Sequence, residues 1–175
     1  MRELYDRNVI SKRVYELATK INKKYGDESL VVIGILNGSF MFIADLVRFL
    51  RMPIELDFFG VKSYKGTKSS NIHFTKELDI DIKDKHVLIV EDIVDSGMTT
   101  FVVCEMLKSR EPKSLRLCTL LFKAVNFKKA VHMDWIGFAV PDEFIVGYGL
   151  DYNGLYRDLP DIHVLDESDG IQRNV

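Results

Sequence analysis

The sequence predicts an α/β fold: a twisted, mainly parallel sheet flanked by helices. Three observations carry this. Near-continuous apolar runs at Leu30–Leu36 (LVVIGIL), residues 87–90 (VLIV) and residues 115–122 (LRLCTLLF) have the length and uniformity of strands buried on both faces. The first two lead into small-residue turns, Asn37-Gly38-Ser39 and Ser96-Gly97, each followed by an apolar stretch of helical length. At 175 residues the chain is most simply one domain with a substantial core.

Composition excludes several classes. A formal net charge of -2 does not suit an overall basic nucleic-acid binder. No apolar run reaches the roughly 18 residues that span a bilayer, and the start, MRELYD, is too charged for a signal peptide, so a cytosolic protein without membrane contact is expected. The two cysteines, Cys104 and Cys118, have no metal or redox spacing and read as small core residues. The four histidines are scattered without ligand spacing.

In chain order, Ile10, Val14, Leu17 and Ile21 recur at helical spacing between Ser11, a candidate N-cap, and Gly26, a candidate stop, which gives an amphipathic covering helix. Leu30–Leu36, its turn and the helix from Phe40 to Leu50 form a first βα unit. That turn is either a plain tight turn or a loop offering backbone amides to an anion. After Met52-Pro53, residues 54–62 alternate as a strand with Ile54, Leu56 and Phe58 on one face. Residues 63–71, SYKGTKSSN, are hydroxyl-rich with Lys65 and Lys68, a composition that cannot bury itself and suits either a lid over a polyanion, the favoured reading, or an inert solvated hairpin. Residues 72–78 can return as the second arm of a hairpin. A helix at Met98–Lys108 follows the central turn, and Lys123 ends the strand of residues 115–122. Such a lysine is a solvated terminus or a ligand contact, and the carboxyl edge of a parallel sheet favours contact. Residues 135–140 and Ile162–Leu165 read as short strands, and the polar residues 166–175 as a fraying end.

Residues 87–100, VLIVEDIVDSGMTT, hold the densest chemistry. Glu91, Asp92 and Asp95 follow the apolar strand, then Ser96, Gly97, Thr99 and Thr100 offer hydroxyls and amides at a helix start, as an anion site requires. Acids beside an anion repel it unless something else is bound too. Ribose hydroxyls, which donate to carboxylates, or Mg²⁺ resolve the conflict, so a phosphorylated sugar fits.

These residues resemble the type I phosphoribosyltransferases, and within them the enzymes acting on 6-oxopurines. Glu91-Asp92 and Asp95-Ser96-Gly97-Met98-Thr99 are similar to the family's ribose-phosphate motif, Leu36-Asn37-Gly38-Ser39 to its pyrophosphate loop, and Ser63-Tyr64 to its lid signature. Lys123 resembles its base-contacting lysine, and VPDEFIVGYGLDYNGLYRDLP, residues 140–160, its purine hood. The motifs run in family order over most of the chain.

The resemblance implies a small hood built from the N-terminal segment and approximately residues 140–175, a mobile lid at approximately 62–76, and a homodimer or homotetramer. The implied reaction transfers phosphoribosyl from phosphoribosyl pyrophosphate to hypoxanthine or guanine with Mg²⁺. Asp95 is then the general acid/base, and the 5′-phosphate lies in Asp95–Thr99. Glu91 and Asp92 hold the ribose, directly or through metal, and Asp151 anchors metal through water. Arg157 and the amides of Leu36–Ser39 meet pyrophosphate. Lys123, Phe144, Ile145 and a carbonyl near Asp151 read the purine, while Ser63 and Tyr64 close the lid. The Leu36-Asn37 peptide is expected cis. Asn37 and Met98 stand where relatives commonly have lysine and Ser39 where they have glycine, which implies altered affinity with activity kept.

A bacterial receiver domain also begins with VLIVED, but on its first strand, with an acceptor aspartate on a later strand that is missing here. A non-catalytic nucleotide-sensing regulator on the same fold is the other alternative; retention of Asp95, Lys123 and Asp151 argues against it. The absence of G-x-x-x-x-G-K-[ST] excludes a Walker-type site.

Overall fold

A computed structural model of the chain describes residues 1–63, 72–128 and 131–166. The chain opens with β1 (Arg2–Tyr5) and turns into α1 (Arg7–Tyr25), then runs β2 (Leu30–Leu36), α2 (Phe40–Phe49), β3 (Ile54–Ser63) and β4 (Ile72–Lys76). The second half is β5 (His86–Val94), α3 (Met98–Lys108), β6 (Ser114–Phe122), β7 (Trp135–Ala139), β8 (Phe144–Val146) and β9 (Ile162–Leu165). No helix among the described residues is long and apolar enough to cross a membrane.

Helix α1 begins four residues before the expected N-cap at Ser11. Asp6 caps it instead, its carboxylate accepting from the Asn8 and Val9 amides at 2.7 and 3.0 Å. Ser11 is exposed within the first turns. Gly26 ends the helix at φ 58°, a conformation that costs a residue with a Cβ.

Among the described residues the main sheet has the order β4-β3-β2-β5-β6-β7, parallel except for the β3/β4 hairpin. Its strands are apolar on both faces because both faces are covered. Leu30, Val32, Leu88, Val90, Cys118 and Leu120 pack beneath α1 and α2. Val31, Ile33, Val87, Ile89 and Leu117 pack on the other side against Val103, Cys104 and Leu107 of α3. Both cysteines are buried and free.

From β2 the chain crosses through α2 to β3 on one side. From the adjacent β5 it crosses through α3 to β6 on the other side. Two neighbouring parallel strands that send the chain in opposite directions leave a crevice at their carboxyl ends, the usual ligand position in open α/β sheets. This central placement also disposes of the receiver-domain alternative, in which the acidic motif ends the first strand.

Strand β5 is longer than its apolar run. Pairing with β6 continues through Glu91↔Thr119 to Val94↔Phe122, so Glu91 and Asp92 lie on the strand and only Asp95 follows it. A second sheet, β1-β9-β8, is antiparallel and joins the two ends of the chain over the carboxyl side of the main sheet. Tyr5 stacks on Phe138 at 4.1 Å between centroids, tying it to β7.

On β3, Leu56 is exposed and the next residue, Asp57, is buried. Asp57 Oδ1 accepts from the Phe58 amide (2.7 Å) and Lys76 Nζ (2.9 Å), and Oδ2 accepts from the Asp79 and Ile80 amides (2.7 and 3.3 Å). Burial alone would raise this carboxyl, but the Lys76 and amide hydrogen bonds outweigh it and hold the pKa below the ordinary range. An unfolded Asp57 therefore binds its proton at a higher pH than the folded one. The stabilisation is full above about pH 4 and is lost as pH falls through the folded value. Asp57→Asn should lower stability by about 2 kcal/mol at pH 7, a value reduced for the partial exposure of Lys76. The gap between the two urea midpoints should shrink as the pH falls below about 4; a gap independent of pH would remove Asp57 from this role.

Candidate functional site

The crevice is walled by residues from five segments, one of them β3 with Val61. The loop after β2 brings Asn37 and Gly38, and the end of β5 brings Asp92, Ile93 and Asp95. Lys123 comes from the end of β6, while Phe144, Ile145, Leu150, Asp151 and Arg157 descend from the second sheet and its turns. The cavity is about 360 Å³. It shares Asp92, Ile93 and Asp95 with a smaller hollow of about 180 Å³, where Glu91, Ser96, Gly97, Met98, Thr99 and Thr100 complete the wall.

The smaller hollow is shaped as an anion cradle. Gly97, at φ 76°, turns the chain into α3 with no side-chain cap, and Phe101 N–H to Gly97 carbonyl is the first helical bond. Helix geometry leaves the preceding amides without intrahelical acceptors. Ser96 Oγ accepts from the Met98 amide at 3.3 Å, which fixes that hydroxyl at the rim. Amides, hydroxyls and the positive end of a helix together favour a phosphate.

Glu91 and Asp92 are both buried at the floor. Burial, reinforced by the neighbouring Asp92 charge, pushes Glu91 well above the usual carboxylate range. Burial raises Asp92 as well, opposed by a hydrogen bond from Glu91 and by the Arg157 charge. Of the two carboxyls, Glu91 is the one pushed further toward the protonated form. Glu91 Oε2 is buried and meets no partner among the described residues, an oxygen left for a donor such as a hydroxyl.

Backbone contact is unusually close here. A Cβ on Gly38 would overlap the Asp92 carboxylate, and a Cβ on Gly149 would overlap the Gly38 carbonyl. The turn containing Gly149 holds Gly147, Tyr148 and Gly149 at φ 94°, 49° and 100°. Tyr148 donates its hydroxyl to Asp45 Oδ2 on α2 at 2.7 Å, pinning the turn over the Asn37-Gly38 loop. Burial, reinforced by the Asp45 hydrogen bond, raises the Tyr148 hydroxyl pKa, so it remains a donor.

On the opposite wall, the almost fully buried Lys123 lies 3.7 Å from Asp95 Oδ2 and 3.8 Å from Asp142 Oδ1. Phe144 is braced by an edge contact with Tyr152 at 5.2 Å. Arg157 donates to the Gly149 carbonyl (2.6 Å) and pairs with Asp151 Oδ1 (2.7 Å), whose Oδ2 accepts from the Gly154 amide (2.8 Å).

Most residues singled out in the sequence thus meet in one crevice. The Leu36-Asn37 peptide is cis, as the resemblance implied. Three placements add detail to these expectations. Ser39 is fully buried and donates to the Ile35 carbonyl at 2.6 Å, so its hydroxyl faces away from the crevice. Leu36 pairs with Gly60 on β3 and does not line the cavity. Arg157 is a fixed cation on the cavity wall, held by its pair with Asp151. Tyr64, the side chain of Ser63 and most of the expected lid lie outside the described residues. Val61, Ile93, Leu150 and Asp142 were not singled out. The first three are apolar and carry no chemical signal, whereas Asp142 stands at the same sheet edge that marked Lys123.

Among the described residues no three Asp, Glu, His or Cys side chains gather into a metal cage. Asp92 and Asp151 on one cavity fit a hard cation of the Mg²⁺ kind, which takes one or two carboxylates and completes its shell with water and substrate phosphates.

The family described as "Phosphoribosyl transferase domain" matches residues 1–153. The chain is 47% identical over 161 residues to the hypoxanthine phosphoribosyltransferase of Haemophilus influenzae, covering 89% of this chain and 90% of that one. It is 42% identical over 170 residues to the hypoxanthine-guanine-xanthine phosphoribosyltransferase of Tritrichomonas foetus, covering 95% and 92%. A solved hypoxanthine-guanine phosphoribosyltransferase from Bacillus anthracis, with a HEPES molecule in its active site, superimposes with a TM-score of 0.91 at 37% identity, covering 95% of this chain and 99% of that one.

The glycine contacts generate a test. Gly38→Ala must push the Asp92 carboxylate aside and should cost about 1–3 kcal/mol by overpacking. Gly149→Ala meets backbone at a positive φ and should cost more, at least about 2 kcal/mol. Urea titration measures both, and a neutral Gly149→Ala would contradict this packing.

Proposed function

Since the chain belongs to the phosphoribosyl transferase domain family, we propose that it is a purine-salvage transferase, moving phosphoribosyl from phosphoribosyl pyrophosphate to hypoxanthine or guanine. The observation that supports this best is the junction of the anion cradle at residues 95–100 with a cavity holding Asp95, Lys123 and Phe144. A nucleotide has the same layout: phosphate, ribose, base.

In this reading the 5′-phosphate occupies the cradle, held by the first-turn amides of α3 and by Ser96 and Thr99. The ribose hydroxyls donate to Asp92 and to the free Glu91 Oε2. A purine ring nitrogen attacks the anomeric carbon, and pyrophosphate leaves with the electrons of the broken C–O bond. Asp95, at the cavity wall, takes the proton from the other imidazole nitrogen. Gly38 and its neighbours offer backbone to the leaving group. The chemistry that Mg²⁺ supplies when bound is charge neutralisation on that group, with Asp92 and Asp151 as its protein anchors. Arg157, held by Asp151, orients that carboxylate and lends positive charge to the same end of the cavity.

Lys123 sets base choice. It donates to the 6-oxygen of hypoxanthine or guanine, and an adenine amine would face a cation and lose the bond. Phe144 stacks on the ring and Ile145 reads its edge through the backbone. Ser63 and Tyr64 are assigned to the closing lid by resemblance. A homodimer or homotetramer is part of the proposal, supported by the exposed aromatic pair Tyr15 and Phe49 on α1 and α2.

Purified protein with phosphoribosyl pyrophosphate and Mg²⁺ should convert hypoxanthine or guanine to its monophosphate, with adenine slower by at least about a hundredfold. A chelator should abolish turnover and added Mg²⁺ restore it. No nucleotide from any base would defeat the proposal. Asp95→Asn should lower kcat by about 10²–10⁴-fold while monophosphate binding by calorimetry persists; unchanged kcat would take the proton transfer away from Asp95.

A further inference from the structure

Lys123 is a cation with almost no solvent, and its ammonium makes no contact of hydrogen-bond length among the described residues. It is steered by two carboxylates at nearly equal distance, Asp95 at 3.7 Å and Asp142 at 3.8 Å. Asp142 is held in turn. Its Oδ1 accepts from Asn126 Nδ2 at 2.6 Å, and it follows Pro141, whose ring fixes the backbone at the exit of β7. Asn126 stands on the loop leaving β6, and that loop is pinned twice more: the Lys123 amide donates to the Val94 carbonyl at 3.0 Å and the Lys128 amide to the Ser96 carbonyl at 3.1 Å. Phe127 adds an edge contact with Phe122 at 5.3 Å.

We propose that Asp142, with Asn126, is the positioning residue for base recognition, holding the Lys123 ammonium away from Asp95 so that the lysine and the aspartate each face the purine. This rests on the roles given to Lys123 and Asp95 above. A buried ammonium between two carboxylates has a balanced pull and keeps its N–H donors for a ligand oxygen. Without the Asp142 charge, Asp95 is its sole near anion among the described residues, and the two groups close on each other. The base then has to break that ion pair to bind, while phosphoribosyl pyrophosphate, held by the cradle and Gly38, does not.

The test is steady-state kinetics on the full chain with each substrate varied in turn. Asp142→Asn should raise KM for hypoxanthine and guanine by about 5- to 20-fold, with KM for phosphoribosyl pyrophosphate and kcat within about twofold of the parent. Asn126→Ala should raise base KM by about two- to fourfold, and Asp142→Glu, which keeps the charge, should recover most of the loss. In a Lys123→Ala background Asp142→Asn should add nothing, because its effect passes through the lysine. Base KM unchanged in Asp142→Asn, equal changes in both substrates' KM, or an effect that survives in Lys123→Ala would each overturn the positioning role. A Lys123→Ala variant with normal base KM and adenine rejection would instead overturn the reading of Lys123 itself, and the positioning role with it.

Discussion

The contact between the Asp92 carboxylate and the backbone of Gly38 is what the rest of the site depends on. Parallel strands lie about 4.8 Å apart, so the carboxyl ends of β2 and β5 bring the loop after one against the side chain of the other. Only a residue without Cβ leaves room for that carboxylate. Gly149 then sits on the Gly38 carbonyl from the hood side, so three segments from distant parts of the chain meet within one layer of atoms. A side chain at either glycine would separate the acid that faces the sugar from the loop that faces the leaving group.

Electrostatics at this junction is a sequence of paired compromises. Two adjacent buried carboxyls cannot both ionise cheaply, and burial favours the proton on Glu91 while the Arg157 charge opposes the upward push on Asp92. Arg157 is itself fixed by Asp151 and the Gly149 carbonyl, which preorganises the cation before any polyphosphate arrives. Across the cavity, Lys123 lies between Asp95 and Asp142. Each charged group is partnered, yet oxygens and N–H donors stay available where a phosphorylated sugar and an oxopurine would bring complementary atoms. The acidic pair beside an anion cradle thereby ceases to be a paradox: the acids and the amides serve different parts of one ligand.

The small antiparallel sheet contributes by position. β1 and β9 pair the two ends of the chain, and the turn after β8 is fastened to α2 by Tyr148 and Asp45. Because α2 begins immediately after the Asn37-Gly38 loop, that hydrogen bond links the residues above the cavity to the loop at its far end. The site is thus braced from the side opposite the β6 edge, where the loop of residues 123–128 is tied to both Val94 and Ser96.

What the sequence by itself determined is local. The limits of β2, α3 and β9, the helix stop at Gly26 and the small-residue turns at Asn37 and Ser96 all follow from patterns within a few residues, since uninterrupted β-branched runs, turn chemistry and apolar spacing are written in neighbours. The identity of the acids, Lys123 and Phe144 as chemically loaded residues was also legible, helped by a motif order spread over most of the chain. Tertiary structure alone decided how far β5 extends, because pairing with β6 carries the strand through Glu91 and Asp92 where hydrophobicity had stopped. It turned Ser39 inward, tied Arg157 to Asp151, buried Asp57 as the anchor of β4, and set Asp142 beside Lys123. Each of these is an interaction between groups far apart in the chain, and a sequence records which groups are present but not which of them the sheet order will bring within a few ångströms.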